Sequence, residues 1–306
     1  MTVSTPPRPP QPSRPAPAGP VAGRDAPPPR RHNRGASRPN WVSGVLSVFW
    51  LGFVGLPIYL MVSWALQRQS QFTNNGPLAP PAHLTGYNFG YVLRSGFTTN
   101  LMVTVQVTAA SIVLTLALAL PAAVAIVRSN SWLAGGSFRI FLLGLAIPAQ
   151  AVIIPVYLII IKLHLYDTLL AIILPTTAFG LPLAILVLAG SLRDVSAEMY
   201  EAMAVDGASP RRMFWNLALP MSRGSITAVG IYTGLNAWNG FIFPLVLPQS
   251  THRRPVALAL WNFQTEHGLN TPALMMAVLL SALPVFVLYL FARRWLVAGL
   301  AGVGGK

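Results

Sequence analysis

Six apolar segments, each about as long as a membrane-spanning helix, dominate the sequence from residue 41 onwards. A helix needs roughly 20 apolar residues to cross the hydrocarbon of a bilayer, and none of the six contains Asp, Glu, Lys or Arg. Helices of soluble proteins are rarely apolar on every face, so the pattern predicts an all-α membrane protein with six transmembrane helices. The predicted spans are Trp41–Leu66, Leu101–Val127, Ile140–Ile161, Thr168–Leu192, Ile226–Leu247 and Ala273–Phe291.

The overall composition agrees with a membrane protein. Of the 306 residues, 54% are hydrophobic and only 9% are charged, whereas roughly a quarter of the residues in soluble domains are charged. The net charge of +14 could indicate a nucleic-acid-binding protein. However, the sequence has no recurring basic face with interleaved aromatic residues and no recognition motif, so nucleic acid is not an expected partner.

The distribution of basic residues predicts the orientation of the chain in the membrane. Residues 1–40 are rich in Pro and Arg and poor in apolar residues, which predicts a disordered tail, and residues 41–306 are predicted to form one transmembrane domain. Sixteen of the 21 Lys and Arg residues lie on the side of the membrane that holds this tail. Because cytoplasmic loops are enriched in Lys and Arg, both termini are predicted to be cytoplasmic in a multi-pass protein of the cell membrane.

Residue types needed for metal binding or catalysis are scarce. The chain has no cysteine, and its five histidines are scattered, so neither a metal site nor a catalytic residue is predicted. The C-terminal residues 302–306 read GVGGK but lack the glycine and Ser/Thr positions of a phosphate-binding loop. The chain is therefore not expected to be an ATPase or any other enzyme, and no cofactor is expected to bind it.

The connection between the fourth and fifth spans, residues 193–224, is long and polar and has signals for two helices. Asp194 or Ser196 can cap a first helix, and Glu198 lies in its first turn, where a carboxylate interacts favourably with the helix dipole. These features alone are also typical of an amphipathic connector at the membrane surface.

A sharp turn is predicted in the middle of this connection. Gly207 can adopt the left-handed conformation that commonly ends a helix. Ser209 and Pro210 then have the residue types preferred at the cap and first position of a new helix, which Pro220 is predicted to end. The connection is thus interpreted as a helix–turn–helix with one corner.

The same connection resembles the EAA loop of the permeases of binding-protein-dependent ABC importers. The family pattern is Glu-Ala-Ala, three residues, Gly, nine residues and Ile-x-Leu-Pro. At the same spacing the chain has Glu201-Ala202-Met203, Gly207 and Leu217-Ala218-Leu219-Pro220. The stretch AVDGAS at 204–209 is similar to the form found in the sugar-importing branch.

Further motifs extend the resemblance to the six-span, maltose-type permeases, from about residue 45 to the C-terminus. Two departures are Gly240, where the family usually has an acidic residue, and Ser196, where it usually has proline. The motifs are Asn100, Ile147-Pro148, Ile154-Pro155-Val156-Tyr157 and Trp238-Asn239-Gly240-Phe241.

The resemblance implies a type I ABC importer permease fold, a set of partners and a role for the loop. The implied partners are a homologous six-span permease, two ATP-binding subunits that use ATP and Mg²⁺, an extracytoplasmic solute-binding protein and a sugar. The loop would be a coupling helix that docks on the ATPase, with Glu201 facing a basic group and Gly207 fixing the corner. The predicted coupling residues are Glu198, Glu201, Ala202, Asp206, Gly207, Leu217 and Pro220.

Polar residues within the apolar spans are candidates for the solute pathway, because burying them in a membrane is costly unless they face a partner or a cavity. Tryptophan and asparagine together suit a sugar, whose ring can stack while its hydroxyl groups form hydrogen bonds. Contacts between helices are the alternative role. The candidates are Gln106, Gln150, Thr176, Thr177, Tyr232, Asn236, Trp238 and Asn239.

Other functions remain open from the sequence. The solute could be something other than a sugar. An ion-coupled secondary transporter would usually show two similar halves and an ionisable residue within the membrane, and a membrane enzyme would need clustered acid–base or metal-binding residues. Neither of these patterns is visible in the sequence.

Overall fold

The computed structural model describes residues 41–129, 131–265 and 268–301. The predicted tail at residues 1–40 lies outside the described residues, and its boundary stays a prediction. By contacts between Cα atoms the chain divides into two units, residues 1–52 and 53–306. All the packing described below lies within the second unit.

Helices account for most of the described chain, in agreement with the all-α prediction. A short hairpin pairs β1 (Gln264–Thr265) with β2 (Gly268–Leu269). The helices are α1 (Trp41–Ala65), α2 (Gln69–Asn75), α3 (Tyr87–Val92), α4 (Thr98–Arg128), α5 (Trp132–Gly144), α6 (Ile153–Lys162), α7 (Leu169–Arg193), α8 (Ala197–Val205), α9 (Pro210–Met213), α10 (Leu219–Met221), α11 (Arg223–Trp238), α12 (Ile242–Val246), α13 (Val256–Ala259) and α14 (Thr271–Ala301).

Within the described ranges, four helical segments are long and apolar enough to cross a membrane: Trp41–Ala65, Tyr87–Arg128, Leu169–Arg193 and Thr271–Leu290. The second is longer than the predicted Leu101–Val127 and continues through a π-helical turn in which Gly96 has a φ of 83°. The remaining two predicted spans are interrupted, and the count of six stays a prediction.

The predicted third span, Ile140–Ile161, is not one straight helix. Helices α5 and α6, with the 3₁₀ turn Ala149–Val152 before α6, meet at an angle of 95°. Pro148 lies at the break, where it has no N–H to donate and disfavours helical backbone at the residue before it. The pair becomes a fifth candidate span if it is counted as one.

The predicted fifth span, Ile226–Leu247, is divided between α11 and α12. Helix α11 ends at Trp238 after 16 residues, and α12 begins only at Ile242. Gly240 lies between them and is packed so closely that a Cβ there would lie 3.2 Å from the carbonyl oxygens of Asn236 and Ala237. The sequence Asn239-Gly240 thus marks a tight turn within this segment.

Helix α4 is the centre of the bundle. It packs most extensively against α7 and next against α11. The core between α4 and α7 contains small residues at Ala119, Ala123, Ala184 and Ala189. Small side chains allow membrane helices to approach closely, so this core is compact without large aromatic groups at its centre.

The segment that follows α12 is attached to the start of α4. The side-chain amide of Asn100 donates to the carbonyl oxygens of Thr251 and Arg254, at 3.0 and 2.7 Å. One turn later, the hydroxyl of Thr104 accepts a hydrogen bond of 2.8 Å from the backbone N–H of Val256. Asn100, which the sequence marked only as part of a family motif, therefore joins two distant parts of the chain.

The other side of the same segment is attached to the connection between α6 and α7. The Asp167 carboxylate accepts from the backbone N–H groups of Gln249 and Ser250, both at 3.0 Å, and from the Ser250 hydroxyl. Arg253 forms an ion pair with it at 3.6 Å. The hydrogen bonds from Ser250, with smaller contributions from Gln249 and Arg253, hold the pKa of Asp167 below its ordinary value, so these contacts favour the charged carboxylate.

Candidate functional site

The connection at residues 193–224 begins where α7 ends. Asp194 terminates α7, and Ser196 occupies the extended position directly before α8. Of the two caps that the sequence allowed, Ser196 therefore holds the position, although its side chain forms no capping hydrogen bond. Glu198 lies in the first turn of α8, as predicted.

The predicted corner is present at Gly207. Its φ is +74°, and two backbone hydrogen bonds close the end of α8, from Gly207 N–H to the Ala204 oxygen at 3.0 Å and from Ala208 N–H to the Met203 oxygen at 2.9 Å. This pair of bonds is the Schellman motif, which requires a left-handed residue. A Cβ at Gly207 would meet nothing within 4 Å, so the demand for glycine comes from the backbone alone.

A second helix begins after the corner as predicted, but it does not end where predicted. The Ser209 hydroxyl accepts from the Arg212 N–H at 3.4 Å, and Pro210 occupies the first turn of α9. Pro220 does not end the second helix, because it lies inside α10 and the chain turns only at Ser222. A π turn at Phe214–Ala218 precedes Pro220, and this wider turn gives its ring space near the preceding carbonyls.

The predicted coupling residues separate into an exposed set and a buried set. Leu217 is buried and Pro220 half-buried, so these two residues support the loop from within. Between the predicted positions, Val205 is 88% exposed, which is unusual for an aliphatic residue at the end of a well-formed helix. The exposed set consists of Glu198, Glu201, Ala202, Asp206 and Gly207.

One residue fixes the buried face of α8. Tyr200 is 5% exposed and packs with Val195 and Leu217. The Arg128 guanidinium, at the end of α4, lies over its ring at 3.9 Å from the centroid. Burial raises the pKa of the Tyr200 phenol, and the Arg128 charge offsets only part of this rise, so the phenol is neutral at physiological pH.

A cavity lies between the end of α4 and the helix–turn–helix of residues 193–224. Its volume is about 270 Å³, and its lining includes Arg128, Tyr200, Glu201 and Phe214. Glu201 was predicted from the sequence, whereas Arg128 and Tyr200 were not. Their pairing joins distant parts of the chain, and neither residue type is unusual at its own position, so no local pattern indicates the contact.

A second cavity lies where α7, α11 and α12 meet. Its volume is about 260 Å³. Three of the predicted pathway residues line it: Thr176, Tyr232 and Asn236. The other lining residues were not predicted, and they include the aromatic rings of Phe179, Phe241 and Phe243 and the buried Thr233.

The polar groups of this cavity have unused hydrogen-bonding capacity. The Asn236 amide donates to the Tyr232 carbonyl at 3.0 Å, which leaves its side-chain oxygen available as an acceptor. The Thr233 hydroxyl is buried and has no hydrogen-bond partner among the residues the structure describes. Polar groups beside aromatic rings match the usual lining of a small-molecule site.

The remaining pathway candidates lie outside the lining of this cavity. Gln106, Gln150 and Asn239 are exposed, Trp238 is half-buried, and Thr177 is buried. Asn239 forms the same kind of hydrogen bond as Asn236, from its amide to the carbonyl four residues earlier, at 2.9 Å. The structure thus brings together Thr176, Tyr232 and Asn236 and separates the other candidates from them.

Comparison with protein families agrees with this architecture. The family model of the inner membrane component of binding-protein-dependent transport systems matches residues 111–301, well over half of the chain. The chain belongs to this family. The matched region contains all of residues 193–224 and the three helices that meet at the second cavity, α7, α11 and α12.

The sequences of individual relatives align with most of this chain. A protein of Caldicellulosiruptor sp. strain Rt8B.4 described as an ABC transporter permease is 34% identical over 251 residues, which are 82% of this chain and 91% of that protein. The diacetylchitobiose uptake system permease protein DasC of Streptomyces coelicolor is 26% identical over 261 residues, 85% of this chain and 94% of its own length.

A solved structure confirms the type I importer permease fold. A chain of a bacterial ABC transporter that imports the acidic polysaccharide alginate superposes with a TM-score of 0.71. The match covers 84% of this permease and 98% of that chain at 19% sequence identity. At this identity the likeness concerns the fold, and the solute of the present permease has to be argued from its own residues.

Proposed function

We propose that this permease forms half of the translocation pathway of an ATP-driven importer for a sugar or oligosaccharide. It works with a second, homologous permease, two ATP-binding subunits that hold ATP and Mg²⁺, and an extracytoplasmic solute-binding protein. Both of its termini and the loop at residues 193–224 face the cytoplasm. Movement of the ATP-binding subunits therefore acts on the permease at α8 and changes the cavity between α7, α11 and α12.

The observation that carries the proposal is the geometry of the loop. A short helix with exposed carboxylates at Glu201 and Asp206 and an exposed apolar residue at Val205 ends in the closed corner at Gly207. Such a surface is complementary to a groove with basic and apolar groups on another protein. The corner makes the surface a rigid extension of the bundle, so movement of the docked subunit reaches the membrane helices.

The cavity supports a sugar as the solute. Sugar rings have apolar faces that pack on aromatic side chains such as Phe179 and Phe241, and they have hydroxyl groups that bond to Asn236 and Thr233. A relative of this permease is named for diacetylchitobiose uptake. The volume of about 260 Å³ lies slightly below the roughly 300 Å³ of typical ligand pockets, so the cavity accommodates one part of an oligosaccharide at a time.

The experiment that tests the function is reconstitution of the complete importer in vesicles. We expect ATP-dependent uptake of at least one member of a panel of labelled di- and oligosaccharides in the presence of the binding protein. Labelled amino acids and polyols are tested in the same uptake assay as comparison solutes. Uptake of a non-sugar solute alone would contradict the sugar assignment, and uptake that does not need ATP would contradict the importer.

Asn236 and Asn239 provide a matched pair for testing the cavity. Asn236→Ala removes an exposed amide that lines the cavity. We expect the apparent affinity for solute to fall about 5- to 100-fold, because the change leaves a hydroxyl group of the bound solute unpaired, at a cost of roughly 1–3 kcal/mol. Asn239→Ala removes the same kind of hydrogen bond outside the cavity and should leave affinity within about twofold of wild type. The measurement is the concentration dependence of uptake, and equal effects of the two changes would favour a packing role.

A further inference from the structure

We propose that Arg128 is a positioning residue for the coupling helix: its guanidinium holds the Tyr200 ring and thereby transmits movement of α8 to α4. The proposal rests on the proposed function, because it assigns the connection between the coupling loop and the cavity. It concerns two residues that neither the sequence motifs nor the comparisons single out.

Tyr200 is the main attachment of α8 to the rest of the permease. It is the single buried residue of this helix, and Met203 is half-buried in the same cluster as Val195 and Leu217. The remaining side chains of α8 are exposed, from Ala197 to Val205. Besides its backbone links to α7 and to the corner at Gly207, α8 therefore has a side-chain route to the bundle through the Tyr200 ring.

Arg128 holds this ring from the side of the bundle. It is the last residue of α4, where the helix dipole favours a cation, and its guanidinium lies 3.9 Å from the ring centroid. No carboxylate among the described residues lies within ion-pair distance of Arg128, even though Glu201 lines the same cavity. The ring is thus its close partner, and a planar guanidinium over an aromatic face is a geometry that lysine reproduces only in part.

Helix α4 is in turn connected to the second cavity, which lies between α7, α11 and α12. Helix α4 packs closely on α11 at Gly234, where a Cβ would lie 3.0 Å from the Ile112 side chain. Tyr232 and Asn236, on either side of Gly234 in the sequence, line the cavity. Because α4 and α11 pack closely at this point, a displacement of α4 is expected to displace α11 and to change the cavity.

The test uses the complete importer in vesicles and measures the number of solute molecules transported per ATP hydrolysed. We expect Arg128→Gln and Tyr200→Leu each to lower this ratio about threefold or more, and the double variant to be no worse than either one alone. Arg128→Lys should lower it by a smaller factor. Tyr200→Phe should match wild type, because the buried hydroxyl has no hydrogen-bond partner among the described residues.

Arg68→Gln is the matched control. Arg68 lies between α1 and α2, outside residues 193–224, and its guanidinium lies over the Tyr87 ring at 5.2 Å from the centroid. This change removes a similar contact that does not involve α8, and the ratio should stay at the wild-type value. A wild-type ratio in Arg128→Gln would overturn the proposal while leaving the proposed function intact. If the Arg128→Gln permease does not assemble into the importer, the same ratio is measured for Arg128→Lys, and a wild-type ratio in that variant would overturn the proposal. Failure of the wild-type importer to link ATP to uptake would instead refute the proposed function.

Discussion

Replacing Gly207 with valine is expected to reduce solute-stimulated ATP turnover and uptake about tenfold or more while the permease still inserts and pairs normally. Gly207 has a φ of +74°, which a β-branched residue strongly disfavours. The strain of roughly 1–3 kcal/mol is too small to unfold a membrane bundle. It is large enough to open the Schellman turn and reorient α8, since about 1.4 kcal/mol changes an equilibrium tenfold.

Gly190→Val is the control for this change. Gly190 lies in α7, and a Cβ there also meets nothing within 4 Å, but Gly190 lacks the positive φ of Gly207. The two variants therefore add the same side chain in equally open surroundings and differ in backbone strain. Membrane insertion, co-purification of the second permease and ATP turnover should be measured for both. Equal activity in the two variants would show that the corner is not needed for coupling.

Changing Glu201 to glutamine is expected to weaken binding of the ATP-binding subunit by about 10- to 100-fold. The substitution keeps the size and helix propensity of the side chain and removes its charge, and a hydrogen bond to a charged group contributes roughly 1.5–3 kcal/mol. Glu201 is exposed on α8, so the permease itself should fold and insert as wild type. The measurement is the affinity of the purified permease pair for the ATP-binding subunit.

Asp194→Asn serves as the charge-matched comparison for Glu201→Gln. Asp194 is also exposed, but it lies between α7 and α8 rather than on the coupling helix. Removing its charge should change the affinity less than about threefold. If both variants bound the ATP-binding subunit as tightly as wild type, Glu201 would have no part in docking. If both were equally weak, the effect would come from net charge and not from a specific contact.

Local signals in the sequence predicted the corner of the helix–turn–helix at residues 193–224 but not its end. Gly207, Ser209 and Pro210 each have a strong preference that depends only on their own backbone, and all three occupy the predicted positions. Pro220 was assigned incorrectly, because proline usually ends a helix but can follow a π turn, and nothing local to Phe214–Ala218 predicts that turn.

Interruptions of the spans were harder to predict than their presence. Hydropathy does not distinguish a straight apolar helix from two apolar helices that meet at 95°, as α5 and α6 do. Pro148 marks the break, but Pro121 and Pro182 lie inside continuous helices. Whether a proline bends or breaks a membrane helix depends on neighbours that satisfy the freed carbonyl groups, and these neighbours come from distant parts of the chain.

The cavity and the Arg128–Tyr200 contact required the structure for the same reason. Tyr232 and Asn236 could be predicted because polar residues are costly in a membrane-spanning segment. Phe179 and Phe241 could not be predicted, because phenylalanine is ordinary in an apolar span and only the structure places these two rings around the cavity. Side chains that act together across helices are specified by packing, which a single sequence does not display.

The absence of cysteine from the chain permits a direct test of the central claim that α8 is the docking site for the ATP-binding subunit. Val205→Cys places one thiol on α8 at a position that is 88% exposed, and Leu78→Cys places one at a position that is 81% exposed between α2 and α3. A short photo-crosslinker on each thiol should then be activated in vesicles that contain the whole importer. We expect the Val205→Cys variant to crosslink to the ATP-binding subunit and the Leu78→Cys variant not to do so. A crosslink from the Leu78→Cys variant alone, or none from the Val205→Cys variant in transport-active vesicles, would contradict it.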